Sequence, residues 1–347
     1  MRPKRISRRT LFLRCFIGSI LVVSLSESAT SQQYLIKFAT LAPDGSTWMN
    51  VMEEYDRAVR KESGGRLGFK IYSNGVQGDD ENVLRKIRAG LLQSGGFTGV
   101  GMGAIAPMVR ILDAPFLFRS YDDIDYIHEK FDEEFIKAFR ERGYVLLGWA
   151  EVGFVYVFTN SPVRQAEDLR GVKMWTWEGD PIAEAAFKAF GITPIPLSIT
   201  DVMTSLQTGL IDGVYTSPLA AIALQWFTRV KYMLDLPLAN ASGSVLISRD
   251  TFDSLPADLQ EILLRNGREY MGKLTKLSRR DNERAVETLK KSGIKVLEPS
   301  SRTALGQYEN IGKTARRLLV GKLFSQELLS RVEQTVSEFQ DSQKTGQ

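Results

Sequence analysis

The chain has 347 residues, 43% of them apolar and 25% charged, which excludes a disordered, collagenous or multi-span membrane protein and allows one large or two medium domains. Its formal net charge of +4 is local: residues 1–31 hold six basic residues and one acid, leaving 39 basic and 40 acidic residues beyond them, a net of −1. A bulk electrostatic argument for nucleic acid or an anionic membrane surface therefore fails.

That leader has a basic start, an apolar run from Phe16 to Leu25 and a small-residue stretch ending at Ser31, the order of a cleaved secretory signal. The run is too short for a comfortable membrane span, and Ser7-Arg8-Arg9-Thr10-Leu11-Phe12 resembles the twin-arginine export pattern, with ordinary secretion as the alternative. The only cysteine, Cys15, lies within the leader, so the chain beyond it offers no disulfide or thiolate chemistry.

Beyond the leader, strand and helix signals alternate. Tyr34 to Thr40 reads as a strand, Ser46 as the cap of a helix carrying Trp48, Met52, Tyr55 and Val59, and Leu67 to Tyr72 as a second strand. Asp79 or Asp80 caps a helix with Val83, Leu84, Ile87 and Leu91 on one side. Strands are expected at Phe97–Met102, Tyr144–Gly148 and Gly153–Phe158, with a helix near 122–141. A second series follows: Val172–Trp175, a helix at 181–190, Pro194–Leu197, a helix at 200–208 and Ile211–Tyr215. A long charged helix spans about 256–291, a strand Ile294–Leu297, and two helices at 302–320 and 325–340 complete the chain, packing on a domain or on another subunit. The exchange of period 2 with period 3.6 predicts two α/β domains around buried sheets.

Chemistry is sparse. One histidine, His128, beside Asp122, Asp123 and Asp125, reads as a surface or boundary residue, and the histidine-cysteine zinc and nucleophile-histidine constellations lack their members. Asp79-Asp80-Glu81 lacks calcium-loop spacing and reads as an acidic helix start; no metal or cofactor is expected. Glycines 95, 96, 99, 101 and 103 form no phosphate loop; they fit tight backbone geometry, or close approach to a ligand. Trp149, Trp175, Trp177, Tyr215 and Trp226 offer aromatic faces to an organic solute or to a core, and strand alternation puts Trp175 and Trp177 on one face.

Five runs appear in order: Tyr72-Ser73-Asn74-Gly75, Asp113-Ala114-Pro115-Phe116-Leu117-Phe118, Thr159-Asn160-Ser161, Leu169-Arg170-Gly171-Val172-Lys173, and Ser205-Leu206-Gln207-Thr208-Gly209-Leu210-Ile211-Asp212-Gly213. Through them the chain, over about residues 34–340, resembles the DctP-type periplasmic solute receptors of tripartite ATP-independent periplasmic (TRAP) transporters. The resemblance implies an α/β, two-lobed periplasmic-binding-protein fold with discontinuous lobes and a ligand cleft at the hinge. Carried onto this chain, lobe I comprises 34–152 plus 242–281, lobe II 153–241 plus 282–325, and 326–347 a helical tail, with crossings near Gly153 and Ala241. It implies a noncatalytic periplasmic receptor, monomeric or dimeric, that delivers a small organic solute to a small and a large membrane subunit; a ligand-sensing receptor for a membrane signalling partner is the alternative.

The family's carboxylate grip does not carry over. Its principal arginine falls at Trp175, a second arginine at Val155, and an asparagine before Pro-Leu at Ser217. A charged hydrogen bond to a carboxylate contributes about 1.5–3 kcal/mol, so these replacements imply a change of specificity. The expected solute is uncharged or amphipathic, contacted by Trp175, Trp177, Val155, Tyr215, Ser217 and Trp149. Glu178 and Asp180 are candidate acceptors for its amine or hydroxyl, Asp180 also being the natural cap of the helix at Pro181.

Overall fold

Alternating apolar residues make Tyr34–Thr40 the first strand, β1, of a computed structural model that describes residues 34–345; the expected leader and Cys15 lie outside the described residues. The Ser46 hydroxyl accepts from the Met49 amide at 3.3 Å and caps α1, Thr47–Glu62, whose Met49, Met52, Tyr55 and Val59 are buried along one stripe. Strand β2, Leu67–Tyr72, pairs parallel with β1, and Asp79 caps α2, Asp80–Arg88. Leu91, expected on the apolar side of α2, falls beyond its end and is 62% exposed.

The strand expected to reach Met102 stops at Thr98. Ser94–Thr98 form β3, and Gly99–Ile105 coil into helix α3. The cause is local capping: the Thr98 hydroxyl accepts from the Val100 amide at 3.2 Å, while the buried Asp80 carboxylate accepts from the Thr98 and Gly101 amides at 3.0 and 3.1 Å. Orphan amides at a helix start are thereby satisfied. A 3-10 helix at Pro107–Asp113 leads to α4, Tyr121–Glu141, opened by a Ser120–Asp123 capping box.

Two strands were expected between Tyr144 and Phe158; there is one, β4, Tyr144–Thr159. It bends rather than ends at Gly153, which adopts φ +104° beside a register shift that glycine tolerates. Then come β5 (Trp175–Trp177), α5 (Pro181–Phe190), β6 (Ile195–Leu197), α6 (Val202–Thr208), β7 (Gly213–Thr216) and α7 (Pro218–Ala223). The chain continues through β8 (Tyr232–Leu234), β9 (Ala239–Ser248), α8 (Arg249–Asp253), the 35-residue α9 (Ala257–Lys291), β10 (Lys295–Leu297), α10 (Arg302–Leu319) and α11 (Gln326–Thr345). The strand expected from Val172 begins only at Trp175; Met174 makes an isolated bridge to Gly213.

The strand order is β10-β8-β4-β9-β3-β1-β2, with β7 also on β4 and β5–β6 a separate parallel pair. Antiparallel β4 and β9 stay paired from Tyr144/Ser248 to Val155/Ala239. At one end β9 continues into β3, β1 and β2; at the other, β4 carries β7 and β8, and β8 carries β10. The fold thus has two lobes threaded by the same two strands. Helix α9 follows the crossing, and its Asn282 donates to the Val152 carbonyl at 2.8 Å and accepts from the Leu219 amide at 2.9 Å. Helix α11 packs on α4 of its own chain, where Phe339 stacks on Tyr126 at 4.4 Å and Leu328, Leu329, Val332 and Val336 are buried.

Asp80 supplies a pH signature. Burial, aided weakly by Asp79, pushes its carboxyl up to about 6 against the hydrogen bonds of Thr98 and Gly101. The folded state then holds this proton more tightly than the unfolded chain, so the associated stability is complete below about pH 4 and declines as pH rises through about 6. Melting temperatures of the parent and Asp80→Asn, taken from pH 4 to 7, should show the parent losing ground to the variant as pH rises. An unchanged difference would contradict the assignment.

Candidate functional site

A cavity of about 450 Å³ opens between the lobes where β4 and β9 cross. One wall is aromatic. Period 2 in β5 puts Trp175 and Trp177 on one face, their rings 6.1 Å apart, and Trp175 stacks on Tyr215 of β7 at 4.9 Å and meets Trp226 edge-on at 5.4 Å. The polar edges of these rings are used internally: Trp175 Nε1 donates to the Leu197 carbonyl at 3.0 Å, and the Trp177 amide donates to the Tyr215 hydroxyl at 3.2 Å. The cavity therefore meets largely their apolar faces.

Val155 and Ser217 also line the cavity, but the Ser217 hydroxyl caps α7 by accepting from the Ala220 amide at 3.1 Å. Two expected contacts lie elsewhere. Trp149 lines a separate pocket of about 570 Å³ between α4, β4 and α9, its ring 4.8 Å from that of His128, because the β4 register directs it to the α4 side. His128 is half-buried there, 2.6 Å from Asp132, in agreement with the boundary reading. Glu178 is exposed in the turn after β5 and does not line the cavity.

Next to the aromatic wall lies an ionic cluster of which the sequence singled out only Asp180. Arg110 donates from Nε to Asp113 at 2.9 Å and from Nη2 to Asp180 at 2.8 Å, all three side chains only 5–6% exposed. Asp113 also accepts from the Ser242 amide at 2.8 Å and from its hydroxyl. Asp180 is the cap of α5, as expected, accepting from the Ile182 amide at 3.1 Å, and in addition ties its lobe to Arg110 of the other. Burial pushes the Asp113 carboxyl up although Arg110 and Ser242 pull it down. Glu151, buried at the cavity margin, pairs with Arg279, which also holds Asp125 at 2.7 Å; burial raises the Glu151 carboxyl against that pull.

Asn240 of β9 lines the cavity and is 2% exposed, with neither Oδ1 nor Nδ2 partnered by protein. A buried amide without partners is costly unless something in the cavity satisfies it. The glycines of α3 serve the ionic cluster: a Cβ on Gly99 would lie 1.8 Å from Asp113 Oδ2, and one on Gly103 2.8 Å from Arg110 Cδ. Tight geometry, one of the two readings of that run, accounts for both. The run Asp113-Ala114-Pro115 was visible as a landmark, but nothing local announced its pairing with position 180.

A mainly apolar cleft between two lobes, with polar groups committed to ties across it, suits a receptor that binds a small solute. Residues 38–309 match the family described as bacterial extracellular solute-binding protein, family 7, and the chain belongs to that DctP family. It is 26% identical, over 90% of its length and 94% of the relative's, to the 2,3-diketo-L-gulonate-binding periplasmic protein YiaO of Escherichia coli. A solute-binding protein of Verminephrobacter eiseniae is 29% identical over 71% of this chain and 74% of its own. The fold superposes with a TM-score of 0.81 on a TRAP periplasmic solute-binding protein of Haemophilus influenzae with bound L-gulonate, at 18% identity, covering 88% of this chain and 99% of that one. The chain is thus a TRAP-type solute receptor and not an enzyme.

The site geometry predicts asymmetric tolerance at glycine. Gly99→Ala must displace Asp113 and should cost about 1–3 kcal/mol by overpacking. Gly306→Ala on α10 meets nothing within 4 Å and should be neutral or stabilise by about 0.5–1 kcal/mol. Urea unfolding of both variants checks the contrast; a Gly99→Ala protein as stable as its parent would show that the Arg110 cluster is not packed as described.

Proposed function

We propose that this receptor captures, outside the cytoplasm, a small organic solute with an apolar or aromatic body and no carboxylate anchor, and hands it to the small and large membrane subunits of a TRAP transporter. Lobe I is 34–152 plus 242–281, lobe II 153–241 plus 282–325, and closure hinges on the crossings near Gly153 and Ala241. The observation that carries the specificity is the fate of positive charge. Among the described residues Arg110 is the only cation lining the cavity, and its guanidinium is held by Asp113 and Asp180. A ligand carboxylate would add a third anion to one arginine inside a dry chamber, at a desolvation cost that the contacts there do not return.

By its name the Escherichia coli relative binds a sugar-acid derivative, and the Haemophilus influenzae structure holds L-gulonate. This chain places Trp175, Val155 and a capping Ser217 in its cavity, so the same fold is read as having exchanged an acid grip for an aromatic surface. No described helix is long and apolar enough to cross a membrane, which fits delivery to separate membrane subunits. Residues 1–31 act as the export leader, and the mature chain starts near Gln32.

Purification from the periplasm, followed by denaturation and mass spectrometry, should release a retained solute without a carboxylate, from a chain starting near residue 32. Small-angle scattering should show compaction when that solute is restored to the emptied protein. Trp175→Ala should weaken its binding by about 2 kcal/mol or more in calorimetry. Recovery of a dicarboxylate or sugar acid, or tight binding of succinate by the parent, would overturn the specificity while leaving the receptor assignment in place.

A further inference from the structure

The ionic groups around the cavity are unbalanced in one direction. Arg110 serves both Asp113 and Asp180, and Arg279 serves both Glu151 and Asp125. With carboxylates ionised, each set of three carries one surplus negative charge. In the Arg279 set, Asp125 is 57% exposed and water screens the excess. In the Arg110 set every side chain is 5–6% exposed, and among the described residues the only other charge lining the cavity is Glu151, also negative. A buried charge with no counter-charge is strongly unfavourable; the Ile182 amide at the start of α5 and the Ser242 donors offset part of it, and the adjoining cavity is the space from which a further counter-charge can come.

A second feature on that wall points the same way. Strand alternation places Asn240 on the face of β9 that carries Ser242, whose amide and hydroxyl bind Asp113. Its buried amide has both an unused acceptor, Oδ1, suited to the N–H of a cation, and an unused donor, Nδ2, suited to a hydroxyl or carbonyl on the same solute. Adjoining the cluster, the Trp177 and Tyr215 rings line the same cavity, and ring faces carry the negative quadrupole that attracts organic cations and accepts their apolar stems.

We infer that the solute is an organic cation, a protonated amine or amidinium on an apolar body, its positive end seated between Asp113, Asp180 and the Asn240 carbonyl. This rests on the solute-receptor reading and replaces "no carboxylate anchor" with a positive one. The solute's charge neutralises the cluster that joins the lobes, so binding and closure stabilise each other.

The test uses three probes of matched shape, 2-phenylethylammonium, 2-phenylethanol and 3-phenylpropionate, titrated calorimetrically into the full-length mature protein after its retained solute has been removed by unfolding and refolding. The ammonium probe should bind at least tenfold more tightly than the alcohol, and the propionate should not bind measurably. Asp180→Asn keeps a capping side chain on α5 but removes the surplus charge, and should abolish the tenfold preference while the ligand-free variant melts no lower than the parent. Asp113→Asn removes the same charge from the other lobe and should act alike if Asp180→Asn fails to fold. An alcohol or propionate that binds as tightly as the ammonium probe, an ammonium probe that does not bind at millimolar concentration, or a preference that survives both variants overturns the inference. A neutral solute released from the native protein overturns it too, yet leaves the receptor reading intact; only a protein that retains no solute and never compacts would count against that reading.

Discussion

Antiparallel β4 and β9 are the constraint on which the rest of the molecule depends. Their pairing runs from Tyr144/Ser248 to Val155/Ala239, with register shifts between Leu146 and Gly148 and between Glu151 and Gly153, so the hydrogen-bonded ladder that builds one sheet is also the connection to the other. A break in either strand would loosen the connection and leave α9 and the Arg110–Asp180 pair to bridge the lobes; an unbent pair would fuse them into one rigid sheet. The bulge next to Gly153 is the intermediate solution, a local loss of register in which a residue with φ +104° absorbs the change of direction. Asn282 of α9 then ties the bulge carbonyl of Val152 to the start of α7, which places the bend beside the chamber and under the control of a long helix.

Closure across that bend has its own electrostatic tie. Arg110 and Asp113 arrive on a 3-10 helix packed against β9, Asp180 on the first turn of α5, and the guanidinium binds both. The cluster needs conditions far apart in the chain: glycine at 99 and 103 so that the side chains fit, Ser242 to complete the coordination of Asp113, and the α5 amide of Ile182 to hold Asp180. Because the arginine is shared, charge within the cluster is not closed by protein alone. If the lobes close as proposed, such an arrangement would make the energy of closing depend on what the chamber contains, as a receptor read in filled and empty states requires.

The sequence disclosed the elements whose causes are local. Caps at Ser46, Asp79 and Asp180, and apolar stripes in α1, α4 and α9, come from residues within a few positions of one another, and each helix appears where those signals lie. Strand β9 had no such signature. Its Ala-Asn-Ala-Ser-Gly-Ser start is small and polar, because one face buries Asn240 and Ser242 against the chamber and the ionic cluster instead of apolar side chains. Helix α3 was hidden for a related reason: a glycine-rich run reads as strand or turn until the carboxylate of Asp80, from a neighbouring helix, supplies its cap. Trp175, Val155 and Ser217, picked out through the family motifs, and Trp177 and Tyr215, picked out as aromatic residues, line the cavity, whereas Trp149 and Glu178 lie off it. Arg110 and Asn240 were not legible, since their meaning lies in partners 70 residues away or in the lack of any.

The departure from an acid grip is more than the loss of three side chains. Removing an arginine from a pocket built for acids would leave apolar surface and spare hydrogen-bond donors, a site weakened but still of the same sign. Here the one arginine that lines the cavity among the described residues is bound by two carboxylates, and the Trp175 ring gives its one donor to the Leu197 carbonyl. An arginine restored at 175 would enter a chamber that already has a surplus anion, and neutralising that anion would come before any gain in affinity for an acid. On the proposed reading, specificity is a property of the charge balance across both lobes, and no single position on the aromatic wall determines it.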